Sequence, residues 1–195
     1  MTSPIQLNLP QKYSAPSPAP IAPPPVSWLA STPWAVTHST LAMWRDARNV
    51  RIRYTALANS REGRPRLDDL VEYEPIKSEG VRKEVAGVDT QDADGAWDWR
   101  GKRWLFFVSS HWEVLGWGEE LLPDGKVERW AITWFAPTAF TKEGVDIYCD
   151  RREGISEATY QRLMEALAKL EAPSLVTMIE GNMRPVEIRL PWVEA

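Results

Sequence analysis

Apolar and polar residues alternate along most of the chain from Trp34 onward. In NVRIRY (49–54), Val50, Ile52 and Tyr54 share one face of an extended strand, and the arginines between them fall on the other. Five further stretches are strand candidates of the same kind: DLVEYE, VRKEVAGV, RWLFFVSSHWEVLGW, VERWAITWF and VDIYC. This pattern predicts a series of short β-strands.

Turn-forming sequences rich in glycine, proline and aspartate separate these strands, at 75–80, 92–95, 100–101, 123–125 and 142–144. Short strands joined by hairpins predict an antiparallel meander, and a meander hides its edges best by closing on itself. We therefore predict an all-β fold, a closed antiparallel barrel of about eight strands.

One helix is predicted after the last strand candidate. Ser156 is a good N-cap and Glu157 suits the first turn, where the helix dipole favours a negative charge. An apolar stripe at helical spacing follows, made of Tyr160, Leu163, Leu167 and Leu170, and Pro173 is expected to end the helix. The sequence predicts one helix over about 156–170, packed outside the barrel.

Residues 1–30 form a segment of different character. Nine of the sixteen prolines precede Trp34, and SAPSPAPIAPPPVS can join neither a sheet interior nor a helix. We predict an extended or disordered arm over 1–30, either free or laid on the domain surface, and a barrel domain over 31–195. A proline-rich ligand for a partner protein is the alternative. Because the arm has almost no apolar periodicity, we expect it to add little to folding.

Charge argues against a nucleic-acid partner. The formal net charge is −4 and the pI is near 5.3, which does not suit a general polyanion binder. The local cluster of Arg45, Arg48, Arg51 and Arg53 is interrupted by Asp46, and we interpret it as a solvated strand face.

The chain has a single cysteine, Cys149, so no disulfide can form within it. The first residues lack the basic and apolar halves of a secretory signal, and no apolar run approaches the roughly 20 residues of a membrane span. We expect an intracellular, cytoplasmic protein without a membrane span. A homodimer is left open.

Known cofactor motifs are missing from the sequence, including G-x-G-x-x-G, the Walker loop, H-E-x-x-H and G-x-S-x-G. One cysteine and two histidines do not suit a closed zinc site. DTQDADG (89–95) has neither the spacing nor the final glutamate of a calcium loop, and a solvated turn is expected there. We predict no cofactor and no metal.

The two histidines are the candidate catalytic residues, because histidine moves protons near neutral pH. His38 shares strand parity with Trp34 and Thr40, and His111 lies in the weakly charged stretch FVSSHWEV. Either histidine could instead be a satisfied structural residue. The chain also holds eleven tryptophans, enough for a large core or an aromatic cavity wall. The candidate ligand contacts are Thr40, Trp104, Trp112, Trp130 and Trp134.

The segment VDIYCDRREGISEATYQRLMEALAKL (145–170) resembles the closing part of lipocalins, where the last barrel strand ends in an arginine and the single helix follows. Arg151 stands at the position of that arginine. The strand that begins at Trp34 is similar to the lipocalin opening strand, whose tryptophan plugs the barrel floor. Thr32 departs from that pattern, which has glycine two residues before the tryptophan. The resemblance implies a barrel floor in which Arg151 stacks over Trp34.

The resemblance implies a cavity for one small hydrophobic molecule. Some small lipocalin-like proteins are cofactor-free cyclases of natural-product pathways, including Diels–Alder-type enzymes. Two functions therefore stay open for this chain. One is cyclisation or isomerisation of a polyketide- or terpenoid-like intermediate, achieved by holding the substrate in a reactive shape. The other is a carrier that only sequesters such a molecule.

Overall fold

A computed structural model describes residues 4–14 and 21–194 of the chain. Its strands are β1 (Trp34–Ser39), β2 (Ala47–Leu57), β3 (Arg66–Pro75), β4 (Lys83–Gln91), β5 (Trp97–Gly101), β6 (Ser109–Leu121), β7 (Val127–Phe135), β8 (Gly144–Cys149) and the two-residue β9 (Arg184–Pro185). The helices are α1 (Val26–Leu29), α2 (Glu157–Leu167) and α3 (Pro173–Asn182).

The strands β1 to β8 form a closed antiparallel barrel, as the alternation predicts. Each strand from β2 to β7 pairs with the next one along the chain. β1 then closes the sheet, because Ala35 pairs with Cys149 of β8 on one side and with Arg51 of β2 on the other. β9 adds a short edge next to β1. The predicted fold class is confirmed.

Two apolar clusters divide the core. The first lies within the barrel and includes Trp34, Val50, Ile52 and Trp112. The second lies on the outer face of β6, β7 and β8, under the C-terminal helices, and includes Leu115, Trp130, Ile132, Trp134, Ile147, Leu163, Leu167, Leu175 and Ile179. β7 and β8 are therefore buried on both faces, whereas much of the remaining barrel is covered only from within.

The C-terminal part contains two helices rather than the single one predicted. Ser156 caps α2 as expected, since its hydroxyl oxygen accepts a hydrogen bond from the Thr159 N–H at 3.3 Å. α2 ends at Leu167, and Pro173 opens α3 instead of stopping the first helix. Proline suits the first turn of a helix, where its missing N–H would have no intrahelical partner.

The floor of the barrel is built around Trp34, which is completely buried. Its indole Nε1 donates to the carbonyl of Leu29 in α1 at 2.7 Å. The arginine over its ring is Arg129, whose Cζ lies 5.8 Å from the ring centroid. This corrects the predicted stack with Arg151, whose Nη1 instead donates to Glu128 at 2.9 Å.

Only part of the arginine cluster forms the solvated face that the sequence suggests. Arg48 and Arg51 are 5% and 1% exposed. Nε of Arg51 lies 3.4 Å from Glu72, and its Nη2 donates to the carbonyl of Val193 at 2.6 Å. The C-terminal segment 186–194 covers this side of β2, so Arg51, which alternation places outside the barrel, lies beneath a second layer of chain, whereas Arg53 is exposed.

Part of the proline-rich arm lies on the barrel. Residues 15–20, with Pro16, Pro18 and Pro20, fall outside the described residues, as do residues 1–3. Within 4–14, Ile5, Leu7, Leu9 and Tyr13 pack against the outer cluster. The Asn8 N–H donates to the Leu115 carbonyl at 2.6 Å, and the Gln11 N–H reaches the Glu113 carboxylate at 3.0 and 3.1 Å. The domain boundary at residue 30 stays a prediction.

These contacts reverse the expectation that the arm adds little to folding. Deleting residues 1–14 should lower the free energy of unfolding by about 2 kcal/mol, because it uncovers apolar surface of the outer cluster. Urea unfolding of the truncated and full-length chains measures the difference. Leu121→Ala is the control, since that apolar side chain is 75% exposed and should change stability little. Equal midpoints for the truncated and full-length chains would show that the arm contacts contribute nothing.

Among the described residues, no helix is long and apolar enough to cross a membrane.

Candidate functional site

The barrel interior holds a cavity of about 460 Å³. Its wall is mainly apolar and aromatic, lined among others by Leu41, Trp44, Ile52, Tyr54, Val71, Val85, Trp99, Trp112, Phe135 and Tyr148. The indole of Trp99 can form part of this wall because residue 87 is glycine, since a Cβ at position 87 would collide with that indole. The cavity therefore offers a concave, largely hydrophobic surface to a small molecule.

The cavity opens between three loops, 40–46, 102–108 and 136–143. Trp104 and Phe140 line the cavity and are both 72% exposed, and Met43 and Phe107 share this position at the rim. Side chains that touch both the cavity and solvent mark the entrance. The opposite end is closed by Trp34 and α1.

Asp146 is a buried carboxyl on the cavity wall, near the entrance. It accepts hydrogen bonds from the Ser39 hydroxyl and, at 3.3 Å, from the indole Nε1 of Trp44. Burial raises the pKa of Asp146 to about 7, although these two hydrogen bonds and Arg45 act in the opposite direction. Near neutral pH this group can therefore exist as an acid that donates a proton.

A second group of polar side chains lies deeper in the barrel. Asp69 lines the cavity, and Asp89 on the adjacent strand accepts a hydrogen bond from Trp112 Nε1 at 2.8 Å. Burial raises the pKa of both carboxyls, that of Asp89 to about 7, and the negative charge of Asp89 adds to the effect on Asp69. The hydroxyls of Tyr54 and Tyr148 lie near these carboxyls, and burial raises the pKa of both tyrosines.

The predicted ligand contacts divide between the two faces of the barrel. Trp104 and Trp112 line the cavity, as expected. Trp130 and Trp134 do not, because they belong to the outer cluster beneath the helices. β7 points its other residues, such as Ala131 and Phe135, into the barrel.

His38 lies outside the cavity. The register of β1 against β8 shifts between Val36 and His38, so parity with Trp34 does not carry through to the histidine. Its ring stacks on Tyr160 of α2, with centroids 3.9 Å apart, and burial lowers its pKa to about 4. The neighbouring Thr40 hydroxyl oxygen accepts a hydrogen bond from the Val145 N–H at 2.8 Å and is not a cavity-lining group.

His111 is on the outer side of β6, between two carboxylates. Nδ1 lies 2.9 Å from Asp98 and Nε2 lies 3.4 Å from Glu113. Burial alone would lower the pKa of His111, but the hydrogen bonds and charges of these two partners outweigh it and the pKa is raised. The structure therefore brings neither histidine to the cavity and does not bring the two together.

The cavity carboxyls were missed at the sequence level, although a signal for one of them is present. In β3, Leu67, Asp69 and Val71 share one face, so the same alternation that predicts the strand places Asp69 inside. An aspartate on an apolar face is unusual and is a candidate for function. Among the described residues, no group of three or more His, Cys, Asp or Glu side chains is placed to hold a metal ion.

The known proteins that match this chain are solved structures. No family model and no curated protein matches the chain. Seventeen chains of solved structures match. One is lobster apocrustacyanin A1, which is 10% identical, with a TM-score of 0.45 over 81% of this chain and 77% of that one. The fold assignment rests on the strand order and barrel closure described above.

Proposed function

We propose that the barrel binds one small hydrophobic molecule in its interior. The observation that carries this proposal is the 460 Å³ cavity, which has an aromatic wall, a closed floor and an entrance rimmed by exposed aromatic side chains. A cavity in the range of about 300–1,000 Å³ suits a small-molecule ligand. Ordered aromatic walls lose little entropy on binding, which favours affinity.

Blocking the cavity should abolish this binding. Ser110 lines the cavity, and Ser110→Trp should weaken binding of the uncharged fluorescent probe N-phenyl-1-naphthylamine by about tenfold or more, because the new ring takes up space the ligand needs. Probe fluorescence in a titration measures the affinity. Ser60→Trp, in the β2–β3 loop at the opposite end, is the control. The proposed ligand site in the barrel is refuted if the wild-type protein does not bind the probe, or if the Ser110→Trp protein binds it with normal affinity.

We also propose that the bound molecule undergoes cofactor-independent cyclisation or isomerisation, with a polyketide- or terpenoid-like intermediate as the substrate class. Two features support this. An enclosed apolar cavity can hold a flexible molecule close to a reactive shape. Asp146, with its pKa near 7, could protonate or hydrogen-bond a substrate carbonyl. This role replaces the one predicted for His38 and His111, which do not reach the cavity.

A non-catalytic carrier is the second candidate function. It is favoured by the wall itself, where polar side chains are few among a majority of apolar ones. One measurement, the rate at which the candidate intermediate is converted, distinguishes the two functions. A carrier binds the candidate intermediate tightly while conversion proceeds at the uncatalysed rate, whereas an enzyme releases the cyclised or isomerised product faster than that rate.

A further inference from the structure

The deep end of the cavity holds carboxyl oxygens that have no partner within the described part of the chain. Asp69 is 7% exposed, lines the cavity, and its Oδ1 makes no hydrogen bond there. Asp89 is completely buried, and its Oδ2 is also without a hydrogen bond. Buried polar atoms are nearly always paired. The proton of a neutral carboxyl can serve one of these two oxygens, and a ligand group that reaches Asp69 can supply a further donor.

The two carboxyls are close neighbours on the interior face. In the β3–β4 register Leu67 pairs with Asp89 and Asp69 pairs with Gly87, which makes the aspartates diagonal neighbours on adjacent strands. The indole of Trp99 fills the space beside Gly87, so Asp69 lines the cavity and Asp89 lies behind it, fully buried. A ligand group at this end of the cavity would meet Asp69 directly, with the carboxyl of Asp89 next to it.

The charges around this pair are mostly negative. The negative charge of Asp68 raises the pKa of both carboxyls. Lys102 lowers the pKa of Asp69, but its Nζ donates a hydrogen bond to Asp68 at 2.5 Å. Tyr54 and Tyr148 face the pair with neutral hydroxyls. No lysine, arginine or histidine is among the described residues that line the cavity. The donor that the carboxyls lack is therefore not supplied by a cation of the cavity wall.

Aromatic rings surround the same place. Tyr54 pairs with Asp69, Trp99 pairs with Asp89 and Trp112 donates to Asp89, and all three rings line the cavity. The faces of such rings attract cations, more strongly so when the cation is shielded from water. Carboxylates and aromatic faces together are the groups that recognise an organic ammonium ion.

We propose that this end of the cavity binds the protonated amine of an otherwise hydrophobic ligand, with Asp69 accepting a hydrogen bond from the ammonium group and the neighbouring Asp89 adding negative charge. The proposal rests on the proposed function and names the chemical class of its ligand. The ammonium keeps its three N–H bonds. One carboxyl that is protonated in the empty protein breaks its O–H bond, and that proton passes to solvent.

A matched pair of ligands tests the charge. Decylamine and 1-decanol have the same chain and differ in the head group, and each can displace N-phenyl-1-naphthylamine. At about pH 8 we expect decylamine to bind about tenfold more tightly or better, the low end of what a buried charge pair contributes. Equal affinities would overturn the amine proposal and leave hydrophobic binding intact. If the probe and both ligands fail to bind, the proposed function itself is wrong.

The pH dependence has a defined sign. An alkylamine stays protonated well above neutral pH. Between about pH 6 and pH 8 the cavity wall therefore changes charge through its buried carboxyls, which include Asp146 near the entrance, whereas His111 lies on the outer face. Because binding releases a proton, decylamine affinity should rise over this interval, and 1-decanol affinity should not. A fall in decylamine affinity would mean that a protonated carboxyl donates to the ligand, and would overturn the proposal.

Asp69→Asn should bring decylamine affinity close to that of 1-decanol while leaving 1-decanol binding unchanged. Asp98→Asn removes the same charge from the outer face, where its side chain is 64% exposed, and should leave both affinities unchanged. An Asp69→Asn protein that still prefers the amine would overturn the proposal. Retained 1-decanol binding in the same sample shows that the variant is folded.

Discussion

Arg51→Ala is expected to lower the free energy of unfolding by about 3–5 kcal/mol, the cost of breaking a buried ion pair by removing one partner. The guanidinium is 1% exposed and sits 3.4 Å from Glu72 and 3.7 Å from Glu74. It also donates to the carbonyl of Val193 and lies under the ring of Trp192, at 5.0 Å. Without Arg51, the buried Glu72 and Glu74 lose one of their cationic partners, and the C-terminal segment loses its contacts with the guanidinium.

Arg53→Ala is the matched control. Arg53 contacts the same carboxylate, with Nη2 3.5 Å from Glu72, but from a side chain that is 48% exposed. Exposed pairs contribute less than about 1 kcal/mol, so this variant should stay close to wild type in urea unfolding. Similar losses for both variants would show that burial under the C-terminal segment does not set the strength of this cluster.

Asp146→Asn is expected to slow the proposed cyclisation or isomerisation by about 10²-fold or more, the usual contribution of a positioned acid. Asparagine nearly keeps the shape of the side chain, so ligand affinity should change far less than the rate. The wild-type rate should fall as the pH rises through about 7, because the carboxyl then loses the proton that it donates. In Asp146→Asn this pH dependence should be absent.

His38→Ala is the comparison for this experiment. It removes the stack on Tyr160 and should cost some stability, but it leaves the cavity wall unchanged and should leave turnover unchanged. Rates are measured as product formed per enzyme under single-turnover conditions, at a temperature where both variants are folded. If His38→Ala is slow and Asp146→Asn is normal, the assignment of the acid to Asp146 is wrong. If wild type and both variants share the uncatalysed rate, the carrier function holds.

The sequence alone was sufficient for the architecture. Strict alternation, as in Val50, Ile52 and Tyr54, defines strands because successive side chains of a strand point to opposite faces. Turn residues set the strand boundaries, and the cap at Ser156 set the start of α2, because these signals act over a few residues. Closure into a barrel followed from the number of strands and the need to cover their edges.

The face that each strand turns inward was decided only by the tertiary structure. In β7 apolar residues fall on both faces, since Ala131 and Phe135 alternate with Trp130, Ile132 and Trp134, so the alternation does not reveal which face meets the cavity and which meets the helices. The bulge after Val36 reverses the expected direction of His38, since a one-residue slip moves side chains to the other face.

Tertiary structure also decided the surroundings of the charged residues. Arg51 points away from the lumen, as its parity predicts, yet it is buried because residues more than 140 positions along the chain cover it. Asp69 and Asp146 become a site only when the barrel closes around them and raises their pKa values by burial. Periodicity is a local property of the chain, whereas burial and electrostatic environment depend on contacts between distant segments, and these decided the candidate chemistry of this protein.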